Sequence, residues 1–144
     1  MPEAERRLSE RFGLNWDVQM QDWDLNNANA NLLPRFLNIL SEPTLSDDEL
    51  YALMGVTIAS VDEALQLGID GKIIEAYLSS LEYLLLQRPY LYVSAVLYWA
   101  EPALLNLEDD EQFPISKHMA RFWVQILPRL DTGNLGQQIP PPEK

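Results

Sequence analysis

The sequence contains no cysteine, which excludes disulfide bridges, thiolate metal sites and thiol nucleophiles. It contains one histidine, His118. No sequence motif of a serine hydrolase, a metalloenzyme or a phosphate-binding loop is present. His118 follows a lysine and lies off the apolar stripe of its helix, so we interpret it as an exposed surface residue. We therefore predict no catalytic residue, no metal and no cofactor.

Long apolar runs are also missing. The longest one, residues 89–100, is well short of the roughly 20 residues that a membrane-spanning helix needs. The N-terminal segment is charged and lacks the apolar core and cleavage site of a secretory signal. We therefore expect a cytoplasmic protein that does not associate with membranes.

Basic residues are scarce, since 10 lysines and arginines stand against 22 aspartates and glutamates, giving a net charge of −12. Two stretches, residues 36–71 and 89–116, contain no basic residue and hold the acidic excess. Such a charge repels nucleic acid and anionic lipid, and it attracts cationic partners. The composition therefore favours a basic protein partner and argues against nucleic-acid binding.

Alternating strand patterns are lacking, and apolar residues recur instead with the period of a helix. Ser46 and Glu49 form a capping-box pattern, Gly68 ends the helix that follows, and Ser116 is the predicted N-cap of the last helix. We predict an all-α fold of about six helices in antiparallel αα-hairpins, packed as a compact bundle or a small HEAT-like solenoid around a central apolar helix, residues 90–106.

Residues 1–131 are predicted to form a single α-helical domain, because the length suits one core. Residues 132–144, with two glycines and three consecutive prolines, are predicted to be an extended or disordered tail. Within the domain, residues 14–31 lack a period, so we expect a loop with one helical turn. Trp16 and Trp23 should hold this loop against the body.

The segment from Asp22 to Asn26 matches the first, third and fifth positions of a calcium-binding loop. The match then fails, because Asn27 replaces the turn glycine and Leu33 replaces the bidentate glutamate. We therefore predict a turn in which Asp and Asn side chains bond to their own backbone.

The carboxylates differ in how readily the fold explains them. Asp47, Asp48 and Glu49 lie in the first turn of a helix, where negative charge is favourable. We interpret Asp62 and Glu63 as a solvated helix face. No such explanation exists for the acidic loop, whose adjacent like charges repel one another. The loop consists of Glu108, Asp109, Asp110 and Glu111.

Aromatic residues are frequent in the two helices that precede this loop, and tyrosine and tryptophan are common anchors in protein interfaces. We predict a binding surface in which an aromatic centre has an acidic rim. Its residues are Tyr98, Trp99 and Glu101 together with Glu108, Asp109, Asp110 and Glu111.

These observations support two functional hypotheses. The first is a non-enzymatic, acidic helical protein-binding module, such as an inhibitor or immunity protein, that captures a basic protein. The alternative is a small helical enzyme or ligand-binding domain with an aromatic-lined pocket between helices, which should contain a buried carboxylate of raised pKa. A homodimer built on an exposed apolar patch is a third alternative.

Overall fold

The helical period of the sequence produces an all-α fold in the computed structural model, which describes residues 2–42 and 44–130. The predicted tail, residues 132–144, lies outside the described residues. No strand occurs in the described part of the chain, and two 3-10 turns, Ala30–Leu32 and Asp109–Glu111, accompany the α-helices. The α-helices are α1 Pro2–Phe12, α2 Trp23–Asn26, α3 Leu33–Leu40, α4 Asp47–Gln66, α5 Gly71–Gln87, α6 Pro89–Leu104 and α7 Ser116–Leu130.

Local capping sets several helix ends where the sequence predicts them. The Oγ of Ser46 accepts the N–H of Glu49, and the Glu49 carboxylate accepts the N–H of Ser46, which confirms the capping box. Gly68, with φ of 69°, follows α4 in the left-handed conformation. Asp70 caps α5 by accepting the N–H of Lys72.

The central helix is α4, and the prediction of residues 90–106 as the centre is wrong. Helix α4 contacts α1, α2, α3, α5 and α6, and most of its residues are buried. Its small residues, such as Gly55 and Ala59, let neighbours approach closely but contribute little to hydropathy. Helix α6 is more apolar because it also carries apolar residues such as Leu97 and Tyr98 on its exposed side.

Asp62 and Glu63 of α4 are not a solvated face, so that interpretation is wrong. Asp62 is 4% exposed, and its carboxylate accepts the N–H of Ile115 at 2.9 Å and the Nε2–H of Gln66 at 2.8 Å. Glu63 accepts the N–H of Ala30 at 2.6 Å. Both carboxylates therefore satisfy backbone donors of distant segments, which sequence spacing does not reveal.

The start of α7 shows the same effect. Ser116 is the first residue of the helix rather than its N-cap, and its Oγ accepts the N–H of Phe113 at 3.2 Å. The carboxylate that lies at this helix start is Asp62, from α4. At the other end of α7, the Tyr90 hydroxyl donates to the Leu130 carbonyl at 3.1 Å, so the first turn of α6 lies against the last turn of α7.

Within residues 2–42 and 44–130, the helices are too short or too polar for any of them to span a bilayer.

Candidate functional site

The segment before α3 is held against the body by a buried polar network. The Trp23 indole donates to the Oγ of Ser9 at 2.8 Å, and both residues are buried. The side chain of Asn27 accepts the N–H of Asn15 and donates to the carbonyls of Asn15 and Trp23. The predicted loop is thus pinned to α1, and it fixes the position of the short helix α2.

Helix α2 lies close to the middle of α4, where α4 has a glycine. A β-carbon at Gly55 would lie 3.2 Å from the Oδ2 of Asp24, tighter than most carbon contacts. Gly55 therefore allows the Asp24 carboxylate to lie directly against α4. Asp22, which precedes α2, adopts the left-handed conformation with φ of 54°.

A cleft of about 350 Å³ opens between α2, α4 and α6. Carboxylates from the α2 segment form one side, and hydroxyl and aromatic groups from α4 and α6 form the other. The residues that matter for its chemistry are Asp22, Asp24, Tyr51, Gly55, Ser94 and Tyr98.

The aromatic side of the cleft is built on a packed cluster. The Tyr98 side chain is 52% exposed, and its ring meets Trp99 edge to face at 5.5 Å between centroids. Trp99 is 1% exposed and packs against Phe113 at 4.5 Å. Nearby, the Tyr51 hydroxyl and the Ser94 Oγ share a hydrogen bond of 2.8 Å. Tyr98 is therefore an exposed ring on a rigid support.

The acidic side of the cleft carries charge that the fold does not neutralise. Burial raises the pKa of Asp24, whose carboxylate accepts the N–H of the adjacent Leu25 at 2.8 Å. Burial also raises the pKa of Tyr98, and the negative charges of Asp24 and Asp22 add to this effect. Among the residues that the structure describes, no lysine or arginine forms an ion pair with Asp22 or Asp24.

Part of the predicted binding surface belongs to this cleft. Tyr98 lines it, and the buried Trp99 supports it rather than offering an exposed ring. Glu101 is exposed on α6, one turn after Tyr98. This turn of α6 is where the predicted surface and the cleft meet.

The acidic loop is exposed at Glu108, Asp110 and Glu111, and Asp109 begins its 3-10 turn. Glu111 accepts the N–H of Glu108 at 3.3 Å, so at least one of the loop carboxylates has a structural role. The loop leads into Phe113, whose ring packs on Trp99.

The acidic stretch of residues 36–71 is less negative in space than in sequence. Arg7 of α1 contacts Glu49 at 3.1 Å, and Arg88 contacts Asp47 at 3.0 Å. Both arginines come from outside the stretch. The cleft carboxylates, Asp22 and Asp24, by contrast lie outside both acidic stretches and outside the predicted binding surface.

His118 is half-buried, which corrects the interpretation of it as an exposed residue. Its Nδ1 lies 2.6 Å from the Nη2 of Arg121. Burial lowers the pKa of His118, and the positive charge of Arg121 lowers it further. The described residues contain no cluster of three or more side chains that could hold a metal ion.

Sequence reasoning missed the importance of Asp22, Asp24, Tyr51, Gly55 and Ser94. The first two were considered only as part of a failed calcium loop. One indication was available, because a single glycine inside a long helix pattern often marks a close approach by another segment. Nothing in the sequence indicates which segment approaches Gly55.

Comparisons of the chain with protein-family models, with curated proteins and with solved structures give no significant match.

Proposed function

We propose that this chain is a non-enzymatic helical module that captures a basic protein, as an inhibitor or immunity protein does. In this proposal the cleft between α2, α4 and α6 receives a lysine or arginine side chain of that partner. The observation that carries the proposal is the pair Asp22 and Asp24, which has no cationic partner among the described residues and lies beside the half-exposed ring of Tyr98.

The two sides of the cleft suit different parts of such a side chain. The face of an aromatic ring attracts a cation by about 0.5–1 kcal/mol at an exposed site, and more where water is excluded. The aliphatic stem can pack on Tyr98 while the charged head reaches Asp22 or Asp24. Arginine suits this arrangement well, since its planar head both stacks on rings and donates two hydrogen bonds to a carboxylate.

The charge of the whole molecule supports the same partner. A net charge of −12 on 144 residues attracts a basic protein before contact, which raises the association rate at low ionic strength. The exposed carboxylates Glu101, Glu108 and Asp110 extend the negative surface beyond the cleft. In this proposal they steer the partner, and the cleft anchors it.

The proposal is tested by selecting binders from a random peptide library and measuring their affinity for two variants. We expect the selected peptides to be rich in arginine and lysine. Their affinity should fall about tenfold in the Asp22→Asn, Asp24→Asn double variant, because two charge-assisted contacts are lost. The matched control is the Glu10→Gln, Asp48→Asn variant, which makes the same charge change at exposed positions that line neither this cleft nor any other pocket named here. Peptides without basic residues, or equal losses in both variants, would overturn the proposal.

A small cationic ligand is the second candidate for the same cleft, in line with the alternative of an enzyme or ligand-binding domain. Its support is the raised pKa of Asp24 in a cleft with an aromatic side. The two candidates differ in the size of the ligand. Free arginine or an alkylamine that binds as tightly as the selected peptides would favour the small ligand.

A further inference from the structure

A separate groove of about 510 Å³ lies between α5 and α7. The floor is apolar, formed by the half-buried Leu78 and the buried Phe122. The rim is polar: Glu75 and Glu82 come from α5, and His118 and Arg121 come from α7.

Both helices contribute residues with the same spacing. In each helix the spacing is i, i+3, i+4 and i+7, which places the residues in a stripe along one face of the helix. The lining positions are 75, 78, 79 and 82 on α5 and 118, 121, 122 and 125 on α7. When two helices pack fully against each other, such stripes are apolar and interdigitate. Here each stripe has one large apolar residue, Leu78 or Phe122, and the helices leave a groove.

The charges on the rim also follow helical spacing. Glu75 and Glu82 are two turns apart, about 10 Å along the axis of α5. Arg121 is at an inner position of the α7 stripe, between His118 and Gln125. The rim is therefore negative at the two ends of the α5 stripe and positive at an inner position of the α7 stripe.

Glu75, Glu82 and Arg121 form no ion pair with any residue in the described ranges 2–42 and 44–130. The guanidinium of Arg121 meets the Nδ1 of His118 instead. Burial and the charge of Arg121 lower the pKa of His118, which favours the neutral imidazole, the form that can accept this hydrogen bond. Glu75, Glu82 and Arg121 are therefore available to form ion pairs with a ligand.

We propose that this groove binds an amphipathic helix of a partner protein. Two basic residues of that helix, seven positions apart, lie against Glu75 and Glu82, and an acidic residue between them lies against Arg121. An apolar residue of the helix packs on Leu78 and Phe122. A helix is the complementary shape because its own side chains repeat with the spacing of the rim charges. Binding of an amphipathic helix in a groove between helices is a common mode of recognition.

We place the proposed occupant in another protein. No two of the 10 lysines and arginines of this chain are seven positions apart, so no helix of a second copy carries the complementary pattern. The groove is also distinct from the cleft, since the residues that line the two do not overlap.

The test uses a helix-stapled peptide of 15 residues and a charge-reversed control. The peptide carries arginines seven positions apart, a glutamate three positions after the first arginine and a leucine next to the glutamate. The control exchanges arginine and glutamate at these three positions. Peptide affinity is measured by fluorescence anisotropy, and the binding site is mapped by NMR on the labelled full chain.

We expect the wild-type chain to prefer the first peptide by about tenfold, since three exposed charge pairs become three repulsions in the control. Shifts should centre on residues 75–82 and 118–125. The Glu75→Arg, Glu82→Arg, Arg121→Glu variant should prefer the control peptide, and its circular dichroism spectrum should match that of the wild type.

Equal affinities for the two peptides, no binding of either, or shifts outside the groove would overturn the proposal. The wild-type preference and the NMR map decide the matter even if the triple variant does not fold. The Asp22→Asn, Asp24→Asn variant separates this site from the cleft. It should bind the stapled peptide as the wild type does, whether or not the cleft has the function proposed for it.

Discussion

Asp62, which lies within α4, is buried, and Asp24, which lies against α4, is half-buried. Burial raises the pKa of both carboxylates, but their surroundings differ. Asp62 accepts hydrogen bonds from Ile115 and from Gln66, and so connects α4 to the start of α7. Asp24 accepts hydrogen bonds from its own turn, from the N–H of Leu25 and its own N–H, and faces an open cleft. The first carboxylate is explained by the fold that surrounds it, whereas the second is not.

This difference separates two kinds of carboxylate in a chain with many acidic residues. A carboxylate that loses hydration needs compensation, either from donors of the protein or from a ligand. Asp62 receives this compensation from two donors, the distant N–H of Ile115 and the Gln66 side chain one turn further along α4. Asp24 receives hydrogen bonds only from backbone N–H groups of its own turn and lines the cleft, and this is the basis of the proposed capture of a cationic side chain.

The largest expected effect is on stability, at Asp62. Asp62→Ala should lower the free energy of unfolding by about 1–3 kcal/mol, because the buried N–H of Ile115 loses its acceptor. Asp24→Ala should leave it unchanged or raise it. Denaturant unfolding at pH 7 measures both, and a similar loss in the two variants would remove the distinction between these carboxylates.

The next effect concerns binding without loss of stability. Gly55→Ala places a methyl group against the Asp24 carboxylate and should weaken binding of the selected basic peptides several-fold. The better helix propensity of alanine, worth about 1 kcal/mol, should offset the crowding in the folded state. Gly71→Ala is the matched control, since a β-carbon there meets open space. Full peptide affinity in Gly55→Ala would show that the position of Asp24 does not matter.

The smallest effect is a pH dependence of opposite sign at two sites. Burial raises the pKa of folded Asp24 above its unfolded value, so its charge destabilises the fold as pH rises through that pKa. Asp24→Asn should therefore raise the melting temperature at pH 7 but not at pH 3.

Glu49 provides the contrast. The N–H of Ser46 and the hydrogen bond from Arg7 lower the pKa of Glu49, so it stabilises the fold above its unfolded pKa and loses this effect as pH falls through its folded pKa. Glu49→Gln should accordingly lower the melting temperature at pH 7, and by progressively less as the pH falls through the folded pKa. The same sign in both variants would contradict the assignment.

Much of the fold was predictable because its causes are local. The capping box at Ser46, the left-handed Gly68 and the apolar periods each depend on residues within a few positions of one another. The central position of α4 was not predictable in this way. The large apolar residues of α6, including exposed ones such as Leu97, make its hydropathy high. The small residues that let other helices surround α4 contribute little to hydropathy, so hydropathy alone does not identify α4 as the central helix.

The candidate site was only half predictable for the same reason. Tyr98 was selected because aromatic residues are frequent binding anchors. Asp24 was not, because its significance depends on contact with Gly55, which is 31 positions away, and on the lack of a cation near it in space. Charge along the sequence was a poor guide, since arginines from other segments pair with Asp47 and Glu49.

We propose that a ligand compensates the charge of Asp24, whereas the protein itself compensates that of Asp62. Carbon-detected NMR titration of both carboxyl groups, with and without a selected basic peptide, tests it most directly. The peptide should lower the pKa of Asp24 and leave that of Asp62 unchanged. An Asp24 pKa that does not move when the peptide is bound would contradict it.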